Sequence, residues 1–298
     1  MKRLILRFFI FCTISTALYL GFNAFVLPVL LEKAFGPTVE EQLDNSFSNA
    51  LARKYDLLIL GNSKFYCGVN PDKFTIPAFN FSHNNDSYNQ LYYKLEWIYK
   101  NGKKIKYLVL GTDYFQFNIF SDTRNYAYGK YLGSEYLADY DNKISLRTQL
   151  EVVKPYKARR LLQFPYDKHG LKDNGQFIRT GVASDEDFIK RRFGFLDLQV
   201  KYFDRILQFS RDHGIVVFIC MPPLRKEELE QYTERQIADF RGFVNKRAGE
   251  DIYFLDSAAD PSFQTSDFID FAHLNQAAAD RYSEKIDREI HSRLDIFQ

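Results

Sequence analysis

Asp56-Leu-Leu-Ile-Leu-Gly-Asn-Ser63 decides how the rest of the chain is read. A short apolar run that ends in Gly-Asn-Ser reads as a buried strand delivering a serine into a tight turn. Lys64-Phe-Tyr-Cys-Gly-Val-Asn-Pro71 can begin a helix at once, which sets Ser63 at a strand-to-helix junction. In a parallel sheet such junctions gather at the carboxyl edge, where ligands bind and helix N–H groups point outward. Taken alone, the pattern also suits an ordinary turn with a capping serine.

Further along, Ile76-Pro-Ala-Phe-Asn-Phe-Ser82 reads as a second short strand running into the polar turn His83-Asn-Asn-Asp-Ser87. That turn caps a predicted helix over Tyr88 to Lys100, stopped by Asn101-Gly102. Ile105-Lys-Tyr-Leu-Val-Leu-Gly111 is a third strand, Ile215-Val-Val-Phe-Ile-Cys220 a fourth and Ile252-Tyr-Phe-Leu255 a fifth. Helices are predicted from Phe188 to His213, opened by Ser184-Asp-Glu-Asp187, from Glu227 to Ala248, and from Gln276 to Leu294. Strand, helix, strand at this spacing means a parallel sheet with right-handed crossovers.

The second chemical motif lies at the other end. Asp267-Phe-Ile-Asp270-Phe-Ala-His273-Leu-Asn275 stands just before the last helix. With Asp270 and His273 three apart, one loop can hold the carboxylate against one ring nitrogen and turn the other toward a serine. Neutral imidazole suits proton transfer near pH 7, because its ordinary pKa is about 6.5. By itself, Asp-x-x-His before a helix is mostly capping chemistry.

Together, the Ser63 junction and the Asp270-x-x-His273 motif resemble the SGNH (GDSL-type) hydrolase superfamily over roughly residues 55–295, most closely its membrane-anchored, DltD- and AlgX-like branch. The resemblance implies a three-layer, flavodoxin-like α/β fold of about five parallel strands with helices on both faces. It makes Ser63 the nucleophile, His273 the base and Asp270 its orienter. It also implies acyl transfer or hydrolysis, acetyl or D-alanyl, on a cell-surface polysaccharide or teichoic-acid-type polymer, beside a multi-span membrane O-acyltransferase. Asn62, Asn85 and Asp113 are the candidate oxyanion or substrate-binding residues. The chain departs from the family pattern twice. Ser82-His83-Asn84-Asn85 replaces the second-block glycine, and Gly111-Thr112-Asp113 stands where Gly-x-Asn is expected, with an acceptor in place of a donor. A plain esterase and a non-catalytic scaffold that binds the polymer or the membrane acyltransferase are the other readings.

Composition narrows the field. The 298 residues are 46% hydrophobic, ample for a core, and 40 Lys plus Arg against 38 Asp plus Glu leave a net charge of +2. That balance gives no general reason to expect a polyanion, and with no Gly-rich phosphate loop it argues against nucleic acid. Aromatic residues reach 17%, enough for a large core, sugar stacking or a membrane belt. Cys12, Cys67 and Cys220 make neither a disulfide framework nor a metal set, and no cofactor is indicated. Cys67 and Cys220 fall near strand ends and can meet, though buried thiols are the simpler state.

At the N-terminus an uncharged run from Phe8 to Leu31 follows Lys2, Arg3 and Arg7. The run can span a bilayer, and the preceding charges predict a cytoplasmic amino end and an exported remainder. The expected organisation is therefore an anchor over 1–35 and an extracytoplasmic domain over 36–298, entered through an amphipathic helix in Pro37 to Tyr55. A cleaved signal peptide is the competing reading. From about 118 to 182 the periodicity is lost in a stretch rich in tyrosine (Tyr126, Tyr128, Tyr131, Tyr136, Tyr140, Tyr156, Tyr166), with the cluster Lys154, Lys157, Arg159 and Arg160. An insertion of this length is expected to cap the site.

Overall fold

A computed structural model describes residues 1–27, 29–30, 39–118, 125–139, 170–183 and 191–294. The basic cluster, Tyr140, Tyr156, Tyr166 and the Ser184-Asp187 helix start lie outside them.

Five strands form one all-parallel sheet: β1 (Leu57–Leu60), β2 (Ala78–Asn80), β3 (Tyr107–Gly111), β6 (Val216–Met221) and β7 (Ile252–Asp256). They lie in the order β2-β1-β3-β6-β7, with Leu57 beside both Ala78 and Tyr107, and Gly111 beside Cys220. The sequence reads these strands as unbroken apolar runs because both faces of the sheet are covered. Leu58 and Leu60 face one core with Leu108, Leu110, Val217 and Ile219. Leu57 and Ile59 face the other with Val109, Phe218 and Cys220.

On the first face lie α2 (Val39–Ala52), α4 (Tyr88–Lys100), α6 (Asp197–Asp212) and α8 (Glu234–Asn245); the long α9 (Gln276–Leu294) covers the second. The helix α4 runs over the predicted residues because its ends are written locally. Ser87 and Gln90 form a capping box, and Gly102 takes φ 80° after the last turn.

Two helix predictions are corrected. The stretch from Glu227 to Ala248 is two helices, α7 (Lys226–Leu229) and α8, because Thr233 takes an extended conformation and caps α8 through Gln236 N. Residues 191–196 are irregular, and α6 begins only at Asp197.

The amino-terminal helix α1 (Lys2–Gly21) continues as a π-type segment, Phe22–Val26. The 25 residues Lys2–Val26 are long and apolar enough to cross a membrane, and among the described residues nothing buries the apolar window. Cys67 and Cys220 are free, buried thiols in separate clusters. Burial pushes the Cys67 thiol up to about 12 and Cys220 higher still.

Within the long insertion, α5 (Asn125–Asp139), kinked at Gly133, lays Tyr131 flat on Phe47 of α2. A hairpin of β4 (Gly170–Leu171) and β5 (Phe177–Ile178) then docks on the sheet edge. Asn80 N donates to Asn174 O, and Gly175, at φ 90°, comes so close to β2 that a Cβ there would lie 1.8 Å from the Asn80 carbonyl. Only glycine fits this approach.

Candidate active site

Three loops leave the carboxyl ends of β1, β2 and β3, and one buried hydrogen-bond network ties them together. Asn62 caps α3 (Ser63–Gly68), its Oδ1 accepting from Lys64 N at 2.9 Å. Its Nδ2 donates to Asp113 Oδ2 at 2.8 Å and also to Gln116 Oε1. Asp113 Oδ1 accepts from the N–H groups of Phe115 and Gln116. Gln116 Nε2 reaches the Asp86 carbonyl at 2.9 Å, and the Asp86 carboxylate is held by Lys94 Nζ at 2.6 Å and by Tyr128. From below, the Phe65 ring lies against the bare backbones of Gly61 and Gly111, where added Cβ atoms would stand 2.6 and 2.4 Å from it.

These contacts fix Ser63. It is partly exposed, whereas Lys64 to Gly68 are all buried. As the first residue of α3 its N–H has no intrahelical acceptor. Lys64 points the other way, into a buried cluster with Glu228 Oε1 at 2.7 Å and Asp113 Oδ2 at 4.0 Å.

The Asp270–His273 loop is built differently. Asp270 Oδ1 accepts from Ala272 N and His273 N, both at 2.8 Å, and Asp270 Oδ2 lies 2.7 Å from His273 Nδ1. Burial alone would raise the Asp270 carboxyl, but the His273 ring and these N–H groups outweigh it and hold the group at about 2. An ionised carboxylate can only accept, so Nδ1 carries the proton and Nε2 presents its lone pair. Nε2 is buried and has no hydrogen-bond partner among the described residues. Burial depresses the ring's pKa, Asp270 raises it, and the charges of Arg179 and Lys64 lower it again, for a net value below the ordinary one.

The structure therefore unites Asp270 with His273 in hydrogen-bond contact and sets their loop on α3, with Leu274 3.6 Å from where a Gly68 Cβ would be. No hydrogen bond joins Ser63 to the imidazole, since Nε2 is without a partner. Asn62 and Asp113 are buried and engaged with each other, which makes them supports of the serine turn and not free donors. Asn85 is exposed at φ 57°, a left-handed conformation asparagine tolerates.

Sequence reasoning missed the neighbour, Asn84, and its partner Arg179. Arg179 donates to Asn84 Oδ1 at 3.1 Å and lies 3.4 Å from His273 Nδ1. Because a guanidinium only donates, the Asn84 oxygen must face it, leaving Nδ2 as a donor without a partner among the described residues. The signal that could have found Arg179 is Asn174-Gly175 between Leu171 and Phe177-Ile178, a hairpin turn that delivers the next residues to the sheet edge. Lys64 and Glu228 were missed as well, since nothing local marks a charged residue for burial.

The described residues hold no group of three His, Cys, Asp or Glu able to bind a metal. No protein-family model matches the chain, and no curated protein matches it either.

Proposed function

We propose that the chain is an SGNH-type serine O-acyltransferase or esterase, tethered to a membrane by its amino-terminal helix with the domain on the extracytoplasmic side. Its substrate is an O-acylated cell-surface polysaccharide or a teichoic-acid-type polymer, with a multi-span membrane O-acyltransferase as partner. The observation that carries this reading is the buried, partnerless Nε2 of His273, whose tautomer Asp270 sets, on a loop packed against the helix that begins at Ser63. A lone pair kept in that state is suited to accept a proton.

Ser63 Oγ attacks the carbonyl carbon of an acyl ester while His273 Nε2 takes the hydroxyl proton. The C–O bond to the leaving alcohol then breaks, the imidazolium returns the proton to that alcohol, and an acyl-serine remains. Water or a sugar hydroxyl attacks it in turn, giving hydrolysis or transfer. Asn84 Nδ2 and the Ser63 N–H are the donors assigned to the oxyanion, each such donor being worth about 3 kcal/mol of barrier.

Ser63→Ala tests the reading with a chromogenic acetyl ester. Turnover should fall by about 1,000-fold or more, and full activity in the variant ends the nucleophile assignment. Mass spectrometry of an oligosaccharide acceptor, gaining one acyl group or none, separates transferase from esterase.

A second reading draws on the missing Ser63–His273 hydrogen bond: a non-catalytic scaffold that binds the polymer or the membrane acyltransferase. Undiminished polymer binding by a Ser63→Ala, His273→Ala double variant, with cellular acylation unchanged, selects it.

A further inference from the structure

The insertion between β3 and α6 sends one side chain into the buried network that holds the serine turn. Tyr128, on α5, is fully buried, and its hydroxyl donates to the Asp86 carboxylate. The other Asp86 oxygen accepts from Lys94 Nζ at 2.6 Å. Lys94 Nζ also donates to Phe81 O at 2.9 Å, so one ammonium ties the residue after β2 to the turn that follows it. The Tyr128 and Phe81 rings face the same ammonium at 5.1 and 4.7 Å. Asp86 stands two residues beyond Asn84, and its carbonyl accepts from Gln116, which accepts in turn from Asn62, the cap of the Ser63 helix. On its outer side α5 is fixed to α2. The Tyr128 ring lies 6.3 Å from that of Phe47, Tyr131 stacks on the same phenyl group, and Lys130 reaches Asp44 at 2.8 Å.

Asp86 and Lys94 are each no more than 1% exposed at their side chains. A buried ion pair is often no more stable than apolar residues of the same volume, so stability alone does not account for it. What such a pair supplies is direction: an ionised carboxylate accepts strong bonds along defined lines, and a buried polar network stiffens whatever it joins. Here it joins the two turns that carry the assigned oxyanion donors, Asn84 Nδ2 and the Ser63 N–H. Such donors act only when held within about 0.5 Å of the geometry the developing charge requires.

We propose that Tyr128 is a positioning residue for acyl transfer: through Asp86 its hydroxyl fixes the Asn84 turn against the Ser63 turn, which makes the insertion a support of the oxyanion site. The inference rests on the acyl-transfer reading, and it adds a residue that acts through others from a distant part of the chain.

The test uses the detergent-solubilised full chain. Tyr128→Phe keeps the ring over Lys94 and removes only the hydroxyl. Tyr131→Phe, which loses a hydroxyl from the same helix that bonds Asp44 instead, is the control. A fluorophosphonate that labels the nucleophilic serine counts competent sites, so turnover is read per site. With a chromogenic acetyl ester, Tyr128→Phe should lower kcat per site about tenfold while KM moves by less than about twofold. Tyr131→Phe should match the wild type. Amide exchange, followed by mass spectrometry, should quicken in peptides covering residues 61–68 and 82–87 of Tyr128→Phe and not of Tyr131→Phe. Gln116→Met cuts the same relay between Asp86 and Asn62 and should show the same kinetic pattern, and the double variant should lose less than the product of the two single losses. An unchanged kcat per site in Tyr128→Phe overturns the proposal, as does a loss that Tyr131→Phe shares, or losses that simply multiply in the double variant. Failure of the nucleophile assignment is seen separately, as ester turnover that survives Ser63→Ala, and the exchange rates then still decide whether Tyr128 holds the two turns.

Discussion

The Asp270–His273 loop and the serine turn meet at one edge of the sheet, yet they are held by opposite means. The loop around Asp270 and His273 closes on itself: Ile269 N donates to His273 O, Asn275 N to Asp267 O, and Phe268 bridges Leu274. Every bond that sets the imidazole comes from within three residues of it, except the approach of Arg179. The serine turn depends on distant chain. Asn62 is held by Asp113 and Gln116, 51 and 54 residues away, and Lys64 by Glu228, 164 residues away. A local loop of this kind tolerates changes elsewhere in the protein. The turn fails whenever any one of three loops is displaced, so the two halves should separate when each is broken.

The largest expected effect is on the Asp270–His273 side. In Asp270→Asn the new carbonyl oxygen can still accept from Ala272 N and His273 N, so the loop should keep its shape. The amide nitrogen would then face Nδ1 and donate to it, which moves the ring proton to Nε2 and removes the lone pair the proposed mechanism needs. By analogy with the same change in a serine protease triad, kcat/KM for an acetyl ester should drop about 10,000-fold, with thermal stability nearly unchanged. A parallel collapse of Tm would show that the loop is less self-contained than its hydrogen bonds imply.

Breaking the other half should have the reverse signature. Lys64, Glu228 and Asp113 are each no more than 2% exposed at their side chains, and burial already raises the Glu228 pKa despite the opposing lysine. Lys64→Met strands the Glu228 carboxylate, while Asp113 keeps its bonds from Asn62, Phe115 and Gln116, and removing one partner of a buried pair costs about 3–5 kcal/mol. Urea unfolding should show a loss of that size, and Lys64→Met with Glu228→Met should recover much of it, since a well-packed apolar pair is often as stable as the ionic one. A single variant as stable as the wild type would mean that water reaches the cluster and that Ser63 is not braced through it.

The same contrast explains what could be read from the sequence. The five strands, α4 and α9 were legible because apolar runs, caps and the Asn101-Gly102 stop are local signals. So was the Asp270-x-x-His273 contact, which needs only a short loop. The break before α8 was also written, as Thr233-Glu-Arg-Gln236, but charged residues on either side carried a helical pattern across it. Asp113 was visible as an acceptor out of place, yet its bond to Asn62 depends on β1 and β3 lying side by side. Arg179 was hidden more deeply, because its contact with His273 spans 94 residues and is made through a hairpin in a stretch without clear periodicity.

That hairpin offers the smallest and most discriminating break. The His273 pKa is lowered chiefly by burial, opposed by Asp270, with Arg179 adding a further downward push. On the proposed mechanism only the neutral ring accepts the Ser63 proton, so kcat/KM should fall as pH drops through that pKa, with its midpoint below the ordinary value of about 6.5. Arg179→Gln removes a positive neighbour, which makes protonation easier, raises the pKa and moves the acidic limb toward higher pH. At alkaline pH the ring is neutral in both proteins, so a neutral acetyl ester should show a smaller difference there than on the limb. A shifted limb with an unchanged Tm would place one outside influence on an otherwise local loop. An unshifted limb would confine Arg179 to its hydrogen bond with Asn84.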